Sequence, residues 1–255
     1  VTHLRRIMNS QPIVNEAVLR RVIAGYLALV AHLDTEIGKV LDALLELGLE
    51  DTTRVIYTSD HGEMCGAHGL FGKSCLLEES IGVPLIAAGP GVPAGRVVEA
   101  PVSQVDLFPT ILEAAGVALE DDDADLPGLS LWPDVEAARH RTAFAEYHAA
   151  GSKSGSFMLR QGRFKLLYHV GMPRQLFDLQ ADPGETNDLG PDHPEAVRLE
   201  TRLREICDPE EVDARAKHDQ RAWIEHWGGA DTIAGEELLI YTPPPGEPAE
   251  MEQAG

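Results

Sequence analysis

The stretch Arg54-Val-Ile-Tyr-Thr-Ser-Asp-His-Gly-Glu-Met-Cys-Gly-Ala-His-Gly-Leu-Phe-Gly-Lys73 runs from a short apolar segment straight into a loop rich in reactive side chains. From Thr58 onward it holds an acid, two histidines, a glutamate, a lysine and four glycines. The β-branched run predicts a buried strand over Thr53 to Ser59, so that Asp60 and His61 fall where the strand gives way to a loop. In open α/β sheets that is where ligands bind.

Upstream, Val18, Val22, Tyr26, Leu29, Val30, Leu33, Ile37, Val40, Leu41 and Leu44 recur at three- and four-residue spacing, which predicts one long amphipathic helix from Asn15 to Leu47. Asn15 suits the N-cap and Gly48 the left-handed position past the end. A helix followed by a buried strand is half of a parallel α/β layer. Downstream, Val83-Pro-Leu-Ile-Ala-Ala88 reads as a second strand closed by Gly89-Pro90-Gly91, and Arg96 to Glu99 as a further short extended piece. Ser103-Gln-Val-Asp106 has capping-box spacing ahead of a helix of three to four turns through Leu107, Ile111, Leu112 and Ala115. Glu120 to Asp125 reads as a solvated acidic loop, and a domain boundary is expected near residue 133.

From Thr142 the pattern changes to four short extended pieces, Ala143 to Tyr147, Ser156 to Arg160, Arg163 to His169 and Gln175 to Leu179, which predict a small antiparallel sheet. A polar loop over Asp182 to Asp188, a helix from Pro194 to about Ile206 and a more polar helix from Glu210 to Trp227 follow. The remainder, with Pro243-Pro-Pro245, is expected to be an extended tail lying on a surface or a neighbouring subunit. The expected organisation is thus 1–133, 134–229 and 230–255.

The chain has 255 residues, 44% of them apolar, and no apolar run long enough to span a bilayer, so a membrane partner is not expected. A formal charge of -21 argues against nucleic acid, because phosphate neutralisation needs clustered Lys and Arg. An anionic small substrate would need local positive charge, such as a metal. Cys65, Cys75 and Cys207 are too few and scattered for a disulfide framework and are read as reduced thiols. Low cysteine use leans to the cytoplasm, although a signal peptide would lie upstream of the region represented here.

A carboxylate and an imidazole in adjacent positions reach one divalent cation if the backbone bends sharply, and Gly62 permits the bend. Asp60 and His61 are therefore candidate metal ligands; alone, such a pair also reads as a turn cap. Lys73, thirteen residues after Asp60 and preceded by Leu70-Phe71-Gly72, could be carried back over an apolar wall to bind ester oxygens or protonate a departing alkoxide. A lone loop lysine also reads as a surface residue.

The ordered set Asp34-Thr-Glu-Ile-Gly38, Leu44-Leu-Glu-Leu-Gly-Leu49, Val55 to Lys73, Val83-Pro-Leu-Ile86, Gly89-Pro-Gly91 and Val102-Ser-Gln-Val-Asp-Leu-Phe-Pro-Thr-Ile-Leu112 resembles the C-terminal half of the type I sulfatases of the alkaline phosphatase superfamily. Phosphonate monoester hydrolases look similar over the same stretch. Arg160-Gln-Gly-Arg-Phe-Lys-Leu-Leu-Tyr168, Leu176-Phe-Asp-Leu179 and Asp182-Pro-Gly-Glu-Thr-Asn-Asp-Leu189 resemble the C-terminal subdomain of that family.

The resemblance implies an α/β fold: the C-terminal part of an alkaline-phosphatase-like sandwich with a mostly parallel central sheet, plus a small α+β subdomain with a short antiparallel sheet. It implies Asp60 and His61 as ligands of a Ca, Mg or Mn ion and Lys73 as the active-site lysine. Glu63 and His68 are expected to orient His61 or line the pocket mouth, or else to hydrogen-bond within the loop. The implied substrate is a small-molecule sulfate or phosphate ester, and a homo-oligomer formed through the tail stays open. The family's Cys or Ser followed by x-Pro-x-Arg, whose first residue becomes formylglycine, has no match; Cys207-Asp-Pro209 continues to Glu211 instead of arginine. The upstream aspartate pair is also unmatched. The expected function is sulfate ester hydrolysis by an enzyme of which this chain is the C-terminal half, inactive alone. A phosphonate or phosphodiester hydrolase and a noncatalytic binding module are the alternatives.

Overall fold

The structure, a computed structural model, describes residues 15–123, 125–132, 141–149 and 152–229. The chain separates into two compact units, Val1–Cys207 and Asp208–Gly255. The first opens with helix α1 (Glu16–Glu46), whose start is fixed by the Asn15 side chain accepting from the Ala17 and Val18 amides. Strand β1 (Val55–Thr58) follows, then the long loop, the single-turn helix α2 (Glu78–Ile81) and strand β2 (Leu85–Ala88). Helix α3 (Leu107–Ala115) is nine residues long and is preceded by a 3-10 turn over Gln104–Asp106; the two together give the length expected from the sequence.

Asp106 anchors this pair: it is buried, accepts from the Ser103 amide at 2.8 Å and pairs with Arg141 at 2.6 Å. Arg96 to Glu99 takes no strand assignment, and Asp121–Asp123 forms an exposed 3-10 turn. The boundary expected near residue 133 and the tail over 230–255 lie outside the described residues.

The mixed α/β class holds, but β1 and β2 pair antiparallel, Val55 opposite Ala88 and Thr58 opposite Leu85, and no parallel pairing occurs among the described residues. Between these strands the chain makes loops and one helical turn, not the long helical crossover that a parallel neighbour requires. The parallel layer and the wider sandwich are not seen in the described region.

The four extended pieces form the expected antiparallel meander: β3 (Thr142–Tyr147), β4 (Ser156–Gln161), β5 (Phe164–His169) and β6 (Gln175–Asp178), in the order β3-β4-β5-β6. Register assigns the two faces. Ala145, Met158 and Leu167 align across one face with Arg160, Lys165 and Phe177, while Phe157, Leu159, Leu166 and Leu176 belong to the other.

Helix α4 (Pro194–Ile206) packs on β4, β5 and β6 and buries Ala196, Leu199 and Leu203, a spacing that keeps them on one helical stripe. The opposite face takes Met64, Leu70, Leu76 and Leu77 of the long loop, which join Met158, Leu167 and Phe177 in a single buried cluster. The reactive loop is therefore seated on the antiparallel sheet. The second unit contains helix α5 (Pro209–His226), capped by the Asp208 side chain at the Glu210 and Glu211 amides and closed by stacked Trp223 and Trp227.

Candidate active site

The loop between β1 and α2 folds back on itself through backbone hydrogen bonds. Met64 N–H donates to Gly72 O at 2.8 Å, Gly66 N–H to Leu70 O at 2.8 Å and Ala67 N–H to Met64 O at 2.7 Å. Glu63 completes the closure, its Oε1 accepting from Cys65 N–H at 3.0 Å and from Gly72 N–H at 2.6 Å. The result brings Lys73 beside His61 although the two are twelve positions apart. Cys65, His68 and Ser74 hold positive φ of 45°, 51° and 75°, so the local strain falls around this loop.

Gly62 is required for a reason other than the expected bend. It is not among the residues with positive φ. Instead its N–H donates to Ser80 O at 2.7 Å, and a Cβ at this position would stand 2.1 Å from Glu79 O. Only a residue without a side chain lets the loop lie this close to α2.

Three predicted side chains converge at the base of the loop. His61 Nδ1 lies 2.8 Å from Gly62 O, and a nitrogen facing a carbonyl must carry the hydrogen; Nε2 faces the Lys73 ammonium, which can only donate, so Nε2 holds the lone pair. Nε2 lies 3.5 Å from Asp60 Oδ2 and 2.5 Å from Lys73 Nζ. The Asp60 carboxyl is held below the usual carboxylate range, chiefly by the hydrogen bond from His61 N–H at 2.9 Å, with the nearby Lys73 ammonium acting in the same direction. It is therefore anionic at neutral pH. Cys65 and Cys75 have thiols pushed up by burial, which disfavours their thiolate forms.

The other two predicted residues sit elsewhere in the loop. Glu63 serves the loop backbone, the second of the two roles expected for it, and His68 lies at the tip, in the 3-10 turn Ala67–Gly69 with a positive φ of 51°. A residue that sequence reasoning passed over is Gln104, whose Nε2 donates to Ser59 O and to Asp60 O, the latter at 3.2 Å. Its available signal was its place in the capping box ahead of α3, which fixes the backbone but says nothing about where the amide reaches. Ser59 Oγ adds a bond to His61 O at 2.8 Å.

The donor chemistry fits a divalent cation in part. An ionised carboxylate and an imidazole lone pair 3.5 Å apart suit two adjacent positions around one ion. Among the described residues no cluster of three or more His, Cys, Asp or Glu side chains completes a metal site.

A family model described as Sulfatase matches residues 6–117, and one described as N-sulphoglucosamine sulphohydrolase, C-terminal, matches residues 66–211. Arylsulfatase K of Mus musculus is 35% identical over 210 residues, which is 78% of this chain and 38% of that protein. The solved structure of BT4656 in complex with its substrate D-glucosamine-2-N,6-O-disulfate is similar with a TM-score of 0.61 and 31% identity, covering 76% of this chain and 40% of that one. The phosphonate monoester hydrolase of Agrobacterium radiobacter gives a TM-score of 0.58 at 31% identity, with 74% and 40% covered. The chain thus spans about two fifths of the length of these relatives. Since the C-terminal model covers more than half of the 255 residues, the chain belongs to the sulfatase family of the alkaline phosphatase superfamily and carries the C-terminal part of its fold.

Proposed function

We propose that this chain supplies the C-terminal half of a metal-dependent hydrolase of small-molecule sulfate esters. The observation that carries the reading is the convergence of Asp60 Oδ2, His61 Nε2 and Lys73 Nζ on a loop locked by Glu63 and seated on the sheet. Asp60 and His61 are two ligands of a Ca, Mg or Mn ion, which when bound supplies Lewis-acid polarisation of the ester. Lys73 holds an ester oxygen and neutralises the negative charge that develops as the leaving oxygen departs. Gln104 and Ser59 fix the backbone on either side of Asp60 and so keep its carboxylate turned towards His61.

Two protein ligands do not hold a divalent cation against water without further carboxylates. The 255 residues also contain no Cys or Ser followed by x-Pro-x-Arg. The remaining ligands and the nucleophile, a formylglycine in this reading, come from polypeptide outside these residues. The test is to join this chain to the coding sequence upstream of its first codon and assay the product with an aryl sulfate. Lys73→Ala is expected to lower kcat by roughly 10²–10³-fold, the scale for losing one oxyanion-stabilising donor, and the 255-residue chain alone is expected to show no turnover. Undiminished turnover in Lys73→Ala sinks the assigned role.

The likeness to the Agrobacterium radiobacter enzyme favours a second reading, hydrolysis of phosphonate monoesters at the same site. Sulfate and phosphonate groups place similar demands on a cation and a lysine. Relative kcat/KM on paired sulfate and phosphonate esters separates the two.

A further inference from the structure

Glu78, which opens α2, is gripped by groups from the sheet and from the polar loop. Lys165 Nζ lies 2.9 Å from Glu78 Oε1 and 2.8 Å from Glu185 Oε1. Arg160 reaches Glu78 Oε2 at 3.1 Å, and Glu185 Oε2 accepts the Glu78 backbone N–H at 2.6 Å. The Lys165 and Glu185 side chains have no exposed surface, and the formal charges cancel, two carboxylates against two cations. Burying an ammonium this fully is expensive, and apolar side chains filling the same space are often as stabilising, so such a cluster is weak evidence of a role in stability alone. Glu185 moreover holds a positive φ of 49°, which a side-chain-bearing residue keeps only when its surroundings impose it.

From Glu78 a short run of direct contacts leads to the imidazole. Helix α2 presents Ser80 O to Gly62 N–H at 2.7 Å and sets Glu79 O against the Gly62 α-carbon. Gly62 O then accepts from His61 Nδ1–H at 2.8 Å. Backbone atoms make every link between Glu78 and the His61 ring, so a shift of α2 moves the carbonyl to which His61 Nδ1–H donates.

We propose that Lys165 and Glu185 are positioning residues for His61: by clamping Glu78 they hold α2 against Gly62, and Gly62 O in turn keeps the imidazole Nε2 lone pair facing Asp60 and Lys73. The inference deepens the proposed function and rests on His61 being a working group of that site. Its test reads the imidazole and not turnover, so either can fail without the other.

The experiment is nitrogen NMR of the 255-residue chain labelled at histidine, with the His61 signals identified from their loss in His61→Gln. Two variants are compared with the parent: Glu185→Gln, which keeps shape, and Lys165→Met with Glu185→Leu, which removes one charge of each sign. Both are expected to retain the far-UV circular dichroism of the parent. In both, the ratio of Nδ1–H to Nε2–H tautomer at His61 falls by about fivefold, the worth of one net hydrogen bond, while the His193 ring at the start of α4 keeps its signals. An unchanged His61 ratio in a folded variant overturns the proposal, since the ring is then oriented without the clamp. Loss of the folded sheet in both variants also overturns it, because the cluster then serves the fold alone.

Discussion

The antiparallel sheet and the region of α1, β1 and β2 are built from similarly apolar sequence and end in opposite states. In the sheet region Phe157, Leu159, Leu166, Leu176, Leu199 and Leu203 are fully buried, covered by α4 on one face and by the long loop on the other. Helix α1 buries no residue at all: Leu29 and Val40 are each 69% exposed, and every residue of β2 is exposed. One region closes its own core, whereas the other leaves most of its apolar stripe uncovered among the described residues, with Leu19 alone shown against the long loop at Gly66. An amphipathic stripe in the sequence therefore states that a face is meant to be covered, and leaves open by what.

The largest expected contrast follows directly. Phe157→Ala removes a fully buried ring from the closed core and is expected to lower stability by about 3–5 kcal/mol. Leu29→Ala on the open face is expected to change it by less than about 0.5 kcal/mol. Urea unfolding of the two variants beside the parent measures both. Equal losses would show that α1 is covered in solution and that the two regions are not different in kind.

A smaller effect is expected at the seam where the loop meets α2. Gly62→Ala drives a Cβ into Glu79 O, and relieving a 2.1 Å approach means separating the loop from α2. Overpacking of this sort costs about 1–3 kcal/mol. Hydrogen exchange should localise it, with the amide at position 62 losing protection and the sheet amides keeping theirs. Protection lost throughout the sheet would mean that loop and sheet open together.

Local signals were legible in the sequence and long-range partners were not. The bounds of α1, the four strands of the sheet and both C-terminal helices follow closely from apolar spacing and, for α1, from the cap at Asn15, features that act within a few residues, whereas the Asp208 cap of α5 was not read. The pairing sense of β1 and β2 was not available, because an apolar run reads the same whichever way its neighbour points. In the site, Asp60 and His61 were visible as adjacent donors, and the return of Lys73 was suggested by the apolar residues before it. The deeper role of those residues was hidden. Met64, Leu70, Leu76 and Leu77 are the base that seats the loop on β4, β5 and β6, and nothing local names a sheet some eighty residues away as their partner. The same holds for Glu78 and Lys165, 87 positions apart and joined only once that packing exists.

The smallest expected effect separates sheet and loop by pH. Burial at the end of β5 lowers the His169 pKa from its ordinary 6.5, with Nδ1 2.8 Å from Ser156 Oγ. The unfolded chain then takes up a proton at this residue before the folded one does, so His169 contributes stability above pH 6.5 that is lost as pH falls from there towards its lowered folded value. Asp60 in the loop has a carboxyl lowered from 3.8, so its contribution persists above pH 3.8 and is lost only below, as pH falls through the lowered value. Acidification from pH 7 to pH 5 should therefore weaken the sheet through His169 while leaving the Asp60 contribution intact. Urea midpoints across that range should decline less steeply for His169→Gln than for the parent, and Asp60→Asn should follow the parent's slope. If His169→Gln declines as steeply as the parent, His169 is not the group through which the closed core senses acid.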